Sequence, residues 1–115
     1  FSMARTSTTG SAIRAADSVT VYLLRADQAD LAHAFAFRGG DRFTAAQGWR
    51  SREGSALPVL DDAAARFTGR LTVVVPAGSS WLALVEVGEI ELGAAGAPLV
   101  HHDRAWWAPG PLISD

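Results

Sequence analysis

Cysteine and lysine are both absent from the 115 residues, and methionine occurs once. The first absence excludes disulfides, cysteine–zinc sites and thiol nucleophiles. The second excludes Schiff-base catalysis, because all ten basic residues are arginine and a guanidinium does not form imines. An excess of positive charge is lacking as well. Ten arginines face 12 acidic residues for a net charge of −2, which argues against a nucleic-acid partner, since that needs a basic stripe against phosphates. No apolar run approaches the roughly 20 residues of a membrane span, and no secretory signal opens the chain. These negatives read as a cytoplasmic protein with no membrane partner. A Gly-x-Ser-x-Gly elbow and a glycine-rich phosphate loop are missing too.

What is present describes a globular domain. Apolar residues make up 49% and charged residues 19% of the chain, enough apolar surface to fold and a length of one domain, residues 1–115. The 22 alanines and exclusive use of arginine match a GC-rich bacterial gene. The chain opens Phe1-Ser2-Met3-Ala4-Arg5, already strand-like and without an initiator methionine, and reads as a chain whose front is missing.

Residues 1–4 form the tail of a strand. Arg5-Thr6-Ser7-Thr8-Thr9-Gly10 follows as a hydroxyl-rich turn, with Thr8 or Thr9 as cap of a short helix that ends at Asp17-Ser18. Residues 19–24 are β-rich and long enough for a buried strand. Asp27 is the expected cap of a second helix, in which Leu31, Ala34 and Phe35 fall on one face. Arg38-Gly39-Gly40-Asp41 stops it. Residues 41–58 read as loop anchored by Phe43 and Trp49. Strands then take over at residues 66–75, 81–92 and 99–107, joined by Gly/Pro turns. The order predicts an α+β, mainly β domain, a barrel or sandwich with helices covering an end.

Few residues stand out chemically. His101 and His102 are adjacent, so in a strand they point to opposite faces and cannot share one metal. No other spacing supports a metal site. One of the pair is expected to face the barrel interior or a cleft and the other solvent. His33 is a solvated or partly packed helical residue, Asp61-Asp62 a solvated turn, and Glu89 and Glu91 share an exposed strand face. Trp106 and Trp107 alternate, one toward the core and one toward a surface. The Arg5–Thr9 turn is the best anion site, because a guanidinium and several hydroxyls converge there; an ordinary surface capping turn is the competing reading.

Five segments in order resemble the flavin reductase-like, FMN-binding split-barrel family. They are residues 1–9 with Ile13-Arg14-Ala15-Ala16; residues 26–36; Gly40-Asp41-Arg42-Phe43 with Trp49; Pro58-Val59-Leu60-Asp61; and residues 98–106. The resemblance implies a split β-barrel with two short helices, N-terminally truncated, that forms a homodimer. It implies an NAD(P)H-dependent flavin reductase, with FMN or FAD as cofactor and NADH or NADPH as co-substrate. Reduced flavin then passes to a partner monooxygenase. By the family pattern Arg5, Thr6, Ser7 and Thr8 hold the flavin phosphate, while Ser80, His102 and Trp106 lie on the nicotinamide or ring side. No catalytic residue is assigned. Two departures matter. The family's first barrel strands precede Phe1, and Gly78-Ser79-Ser80 stands where many members read Gly-Asp-His, on the nicotinamide side. The resemblance therefore carries flavin binding further than hydride transfer. A non-catalytic flavin-binding or dimerisation module of the same fold is the alternative, and a small barrel for some other apolar ligand is a third reading.

Overall fold

Two 13-residue strands, β5 (Ala65–Ala77) and β6 (Ser80–Leu92), dominate the computed structural model, which describes residues 1–37 and 39–113. In chain order the other elements are β1 (Ser2–Ala4), α1 (Thr8–Arg14), β2 (Ser18–Leu23), α2 (Ala29–Ala36), β3 (Trp49–Arg50), β4 (Val59–Leu60), β7 (Val100–His102) and β8 (Ala105–Trp107). The chain is thus mainly β with two short helices. It forms two compact units, residues 1–21 with 66–91 and residues 22–65 with 92–115.

The first unit is built on a four-stranded sheet in the order β1-β6-β5-β2. β5 and β6 turn over Gly78-Ser79, where Gly78 takes φ 61° at no steric cost. β1 lies antiparallel to β6, with Met3 opposite Trp81 and Ala4 opposite Ser80. Side chains alternate along β6, so Trp81, Ala83 and Val85 share one face and Leu82 and Leu84 the other. Helix α1 covers the first face. Its buried Gly10 packs where an added Cβ would lie 3.6 Å from the Met3 sulfur, and Ala83 is only 1% exposed. Gly69 in β5 is buried, and the position suits glycine because a Cβ there would run into the Glu86 carbonyl.

Two sequence expectations change here. Pro76 lies inside β5 rather than ending it at Val75. The last bond toward β2 is Leu71 N–H to the Asp17 carbonyl, so Pro76 stands beyond β2, where a missing N–H leaves no ladder bond unmade. Residues 19–24 are not a buried strand. β2 is an edge strand in which Ser18 and Thr20 are exposed and Val19 and Val21 half-buried, as one-sided packing dictates. Glu89 and Glu91 are exposed as expected, and Glu91 also pairs with Arg66.

The second unit has its core at Val59, Leu60, Ala63 and Ala65, with Leu60 2% exposed. β3 and β4 pair with Trp49 opposite Leu60. Around them stands an aromatic cluster. Trp49 meets Tyr22 at 5.5 Å, Phe35 at 5.8 Å and Phe43 at 4.9 Å between ring centroids, and Phe35 meets Phe43 edge-on at 5.1 Å. Phe43 and Trp49 are the loop anchors the sequence indicated, and a 3-10 turn (Ala45–Gln47) and β3 add regular structure to that stretch.

Asp27 does not cap α2. A 3-10 turn (Ala26–Gln28) precedes the helix, and the reciprocal cap joins Arg25 and Gln28. Asp27 instead takes the Arg25 Nε–H at 3.1 Å. The arginine, whose side chain is 8% exposed, also donates to Asp62 at 3.0 Å. The hydrogen bond to Asp62 foremost, against the opposing cost of burial and with Asp27 adding, raises Arg25 above an ordinary arginine pKa. Asp61 receives a two-pronged contact from Arg50, with one N–O distance of 2.9 Å. Asp61-Asp62 is therefore an exposed turn that anchors two arginines, not merely a solvated one. Helix α2 ends at Ala36, since Phe37 is already extended. Arg38, the first residue of the expected stop, lies outside the described residues.

Candidate functional site

The strand-to-helix junction of the first unit is where the predicted anion-binding residues meet. β1 ends at Ala4, and the Arg5 N–H extends the pairing by donating to the Ser79 carbonyl at 3.0 Å. The Arg5 guanidinium donates to the Gly78 carbonyl at 3.2 Å and lies 4.6 Å from the centroid of Trp81. The backbone then folds back, with the Ser7 N–H on the Ala4 carbonyl at 3.1 Å. That leaves Ser7 extended (φ −73°, ψ 130°) as the cap of α1, its Oγ accepting from the Gly10 N–H at 3.1 Å.

The expected caps, Thr8 and Thr9, are instead the first two helical residues. Four consecutive hydroxyl residues, Thr6 to Thr9, made the choice ambiguous in sequence; the fold-back onto Ala4 decides it. Capping uses Ser7 as acceptor and leaves its O–H as donor. Thr6 and Thr8 are exposed beside it. One turn thus gathers Arg5, Thr6, Ser7 and Thr8, and no carboxylate among the described residues pairs with Arg5. A cation with three hydroxyl donors suits a phosphate.

Arg14 is the residue the sequence reading passed over as a candidate ligand. It closes α1, and its guanidinium lies 4.0 Å from the same Trp81 centroid. The signal was its position seven residues after Ser7, two helical turns along one face.

The ring-side candidates fall in both units. Ser80 begins β6, half-buried opposite Ala4. His102 and Trp106 lie in the β7–β8 hairpin, where the register sets His101 opposite Trp106 and His102 opposite Ala105. Trp106 therefore meets His101, at 4.5 Å between centroids, and His102 points to the other face. The His102 carbonyl accepts the Trp107 indole N–H at 2.8 Å. Of the two tryptophans, Trp106 is half-buried and Trp107 is 53% exposed. Both histidines of the pair are exposed, so neither faces an interior. Among the described residues no group of three potential ligands could hold a metal, and no helix is long and apolar enough to cross a membrane.

Residues 1–106 match the flavin reductase-like domain family model. The chain belongs to that family. Its sequence is 28% identical over 116 residues to the NADH:FMN oxidoreductases of Rhodococcus qingshengii and Rhodococcus erythropolis, an overlap that covers 97% of this chain. The chain spans 60% of the length of these curated relatives. Among solved structures, a flavin reductase domain protein from Arthrobacter sp. FB24 superposes with a TM-score of 0.81 at 29% identity, over 100% of this chain and 70% of that one. The Streptomyces globisporus C-1027 NADH:FAD oxidoreductase SgcE6, solved with NAD and FAD fragments, shares the fold at a TM-score of 0.83 and 19% identity, over 99% of this chain and 68% of its own. The fold of this flavin reductase-like domain is accordingly that of the split-barrel reductases, mainly β with two short helices.

Proposed function

We propose that residues 1–115 act as one domain of an NAD(P)H-dependent flavin reductase, which holds FMN or FAD and delivers it reduced to a partner monooxygenase. Family membership and the names of the Rhodococcus relatives favour NADH and FMN. The observation that carries the reading is the Arg5–Thr8 turn, whose donors fit the phosphate that both flavins bear. Arg5 supplies the charge, and Thr6, Ser7 and Thr8 supply hydroxyl donors. When bound, the flavin supplies the hydride-accepting ring. This chain's residues orient it at the phosphate end, and Ser80, His102 and Trp106 are proposed for the ring or nicotinamide side. A reaction that draws on NAD(P)H fits the cytoplasm.

Titration of FMN into the purified chain tests this, followed by quenching of flavin fluorescence. Saturable micromolar binding is expected, and Arg5→Ala should weaken it about tenfold, the lower range for a charged hydrogen bond. An unchanged dissociation constant removes Arg5 from the site.

A second reading, a non-catalytic flavin-binding or dimerisation module, is favoured by the turn at Gly78-Ser79-Ser80. It offers hydroxyls and no imidazole where many family members carry histidine. NADH consumption with flavin in excess separates the two. A homodimer is proposed on the uncovered apolar side chains of the long hairpin, among them Val73, Val75, Leu82 and Leu84.

A further inference from the structure

We propose that Arg14 is a second phosphate-binding residue at the Arg5–Thr8 turn, held there by Trp81, and that it sets a preference for phosphorylated flavins over riboflavin. The proposal rests on the flavin reading above.

Two guanidinium groups share one indole, at 4.6 Å and 4.0 Å from its centroid. Like charges gathered on one ring repel each other, and no carboxylate among the described residues neutralises either. The indole face offsets part of that cost; a dianion would offset far more. Arg5 spends one N–H on the Gly78 carbonyl. Arg14 has no hydrogen-bond acceptor among the described residues, and it is exposed. A planar guanidinium resting on an aromatic ring keeps its N–H edge directed outward, the arrangement that grips a phosphate with two parallel bonds.

Direction agrees with charge. Helical side chains lean toward the helix N-terminus, so Arg14 leans back along α1 toward the Ser7 turn. Register supplies the platform. Met3 opposite Trp81 places the indole beside the end of β1, where Arg5 leaves the strand. Trp81 is on this account a positioning residue, since it touches the two cations and not the phosphate.

The simpler role for Arg14 is a pin that fastens α1 to the sheet, and the test separates the two. FMN, riboflavin and NAD are titrated into the full chain and into Arg14→Gln, with far-UV circular dichroism melts as the fold control. The expected result is an FMN dissociation constant raised about tenfold, riboflavin affinity unchanged, and a shallower salt dependence for FMN. Arg14→Lys, which keeps the charge, should recover much of the lost FMN affinity, and Trp81→Phe should lose less of it than Trp81→Leu. Equal losses for FMN and riboflavin, or no loss for either, overturn the proposal. So does a loss confined to NAD, which would assign the cation to the nicotinamide nucleotide. Inorganic pyrophosphate, followed by tryptophan emission, tells the proposal's failure from that of the flavin reading. A response that Arg14→Gln abolishes, in a chain that binds no flavin, retains the anion site and overturns only the flavin. No response to pyrophosphate or FMN overturns both.

Discussion

Arg104 takes φ 62° and its neighbour Asp103 φ 49° in the two-residue turn between β7 and β8. Two successive positive φ values are what a tight hairpin of this hand requires. Aspartate tolerates the left-handed region through local hydrogen bonding, whereas an arginine there carries a Cβ clash and gains nothing in return. Arg104→Gly is therefore expected to stabilise the protein by about 1 kcal/mol, read as a rise in the urea midpoint at unchanged slope. At this same scale the hydroxyl turn was legible in the sequence, because capping chemistry is local. Which of Ser7, Thr8 and Thr9 would cap was not legible, since all three can. Arg14 was hidden for a different reason. Its partner Trp81 lies far along the chain and comes to it only through the pairing of β1 with β6.

At the scale of elements, the Arg25 network shows why an ion pair with a buried cation differs from one exposed at both ends. Arg25 reaches both the α2 entry, through Asp27, and the turn after β4, through Asp62. Gln28 adds a bond to the Asp62 carbonyl. The Arg50–Asp61 pair is about half exposed at both ends, and such pairs contribute little. Removing the side chain of Arg25 empties the buried space its stem fills and undoes its hold on two elements, although the carboxylates left behind, each 70% exposed, pass to water. Arg25→Ala should therefore lower Tm clearly more than Arg50→Ala, measured by calorimetry under one set of conditions. Nor should the Arg25 contribution fade as pH rises through the ordinary working range. A cation whose folded pKa is raised keeps its stabilising charge until pH reaches the unfolded arginine value, far above neutrality. The long strands were readable as β-rich runs between Gly/Pro turns, whereas the two-residue β3 and β4 were too short to show. The capping arrangement was not readable either, because Asp27 resembles a cap in sequence while Arg25, which Asp62 also holds, claims it in space. Pro76 misled for a similar reason, since whether proline ends a strand depends on which neighbour stands beside it.

For the whole molecule, the balance of apolar surface is the unusual quantity. Half the chain is apolar, yet among the described residues the buried hydrophobic ones are few and mostly small: Val59, Leu60, Ala63, Ala65 and Ala83. Leu84 is 48% exposed, with Val73, Val75 and Leu82 also uncovered. The two-residue turn at Gly78-Ser79 aligns Val75 with Leu82 and Val73 with Leu84 on the face away from α1. Apolar area so grouped marks a surface that another surface covers. If a second copy does so, Leu84→Glu should convert a dimer to a monomer in light scattering at micromolar concentration, with the far-UV spectrum unchanged. A mass equal to one chain in both proteins would count against the homodimer. The sequence could announce the apolar residues but not this imbalance, which depends on how many of them the two units bury.

The long hairpin also acts as a ruler. Trp81 faces α1 because a single residue, Ser80, separates it from the turn at Gly78-Ser79. Losing one residue from β6 before Trp81 would carry the indole to the opposite face, taking both guanidinium groups' platform with it. Gene lengths in this region should therefore change in steps that preserve strand parity, with a residue lost from one arm matched in the other. Comparing natural variants by hairpin length alone, without regard to residue identity, would reveal that arithmetic.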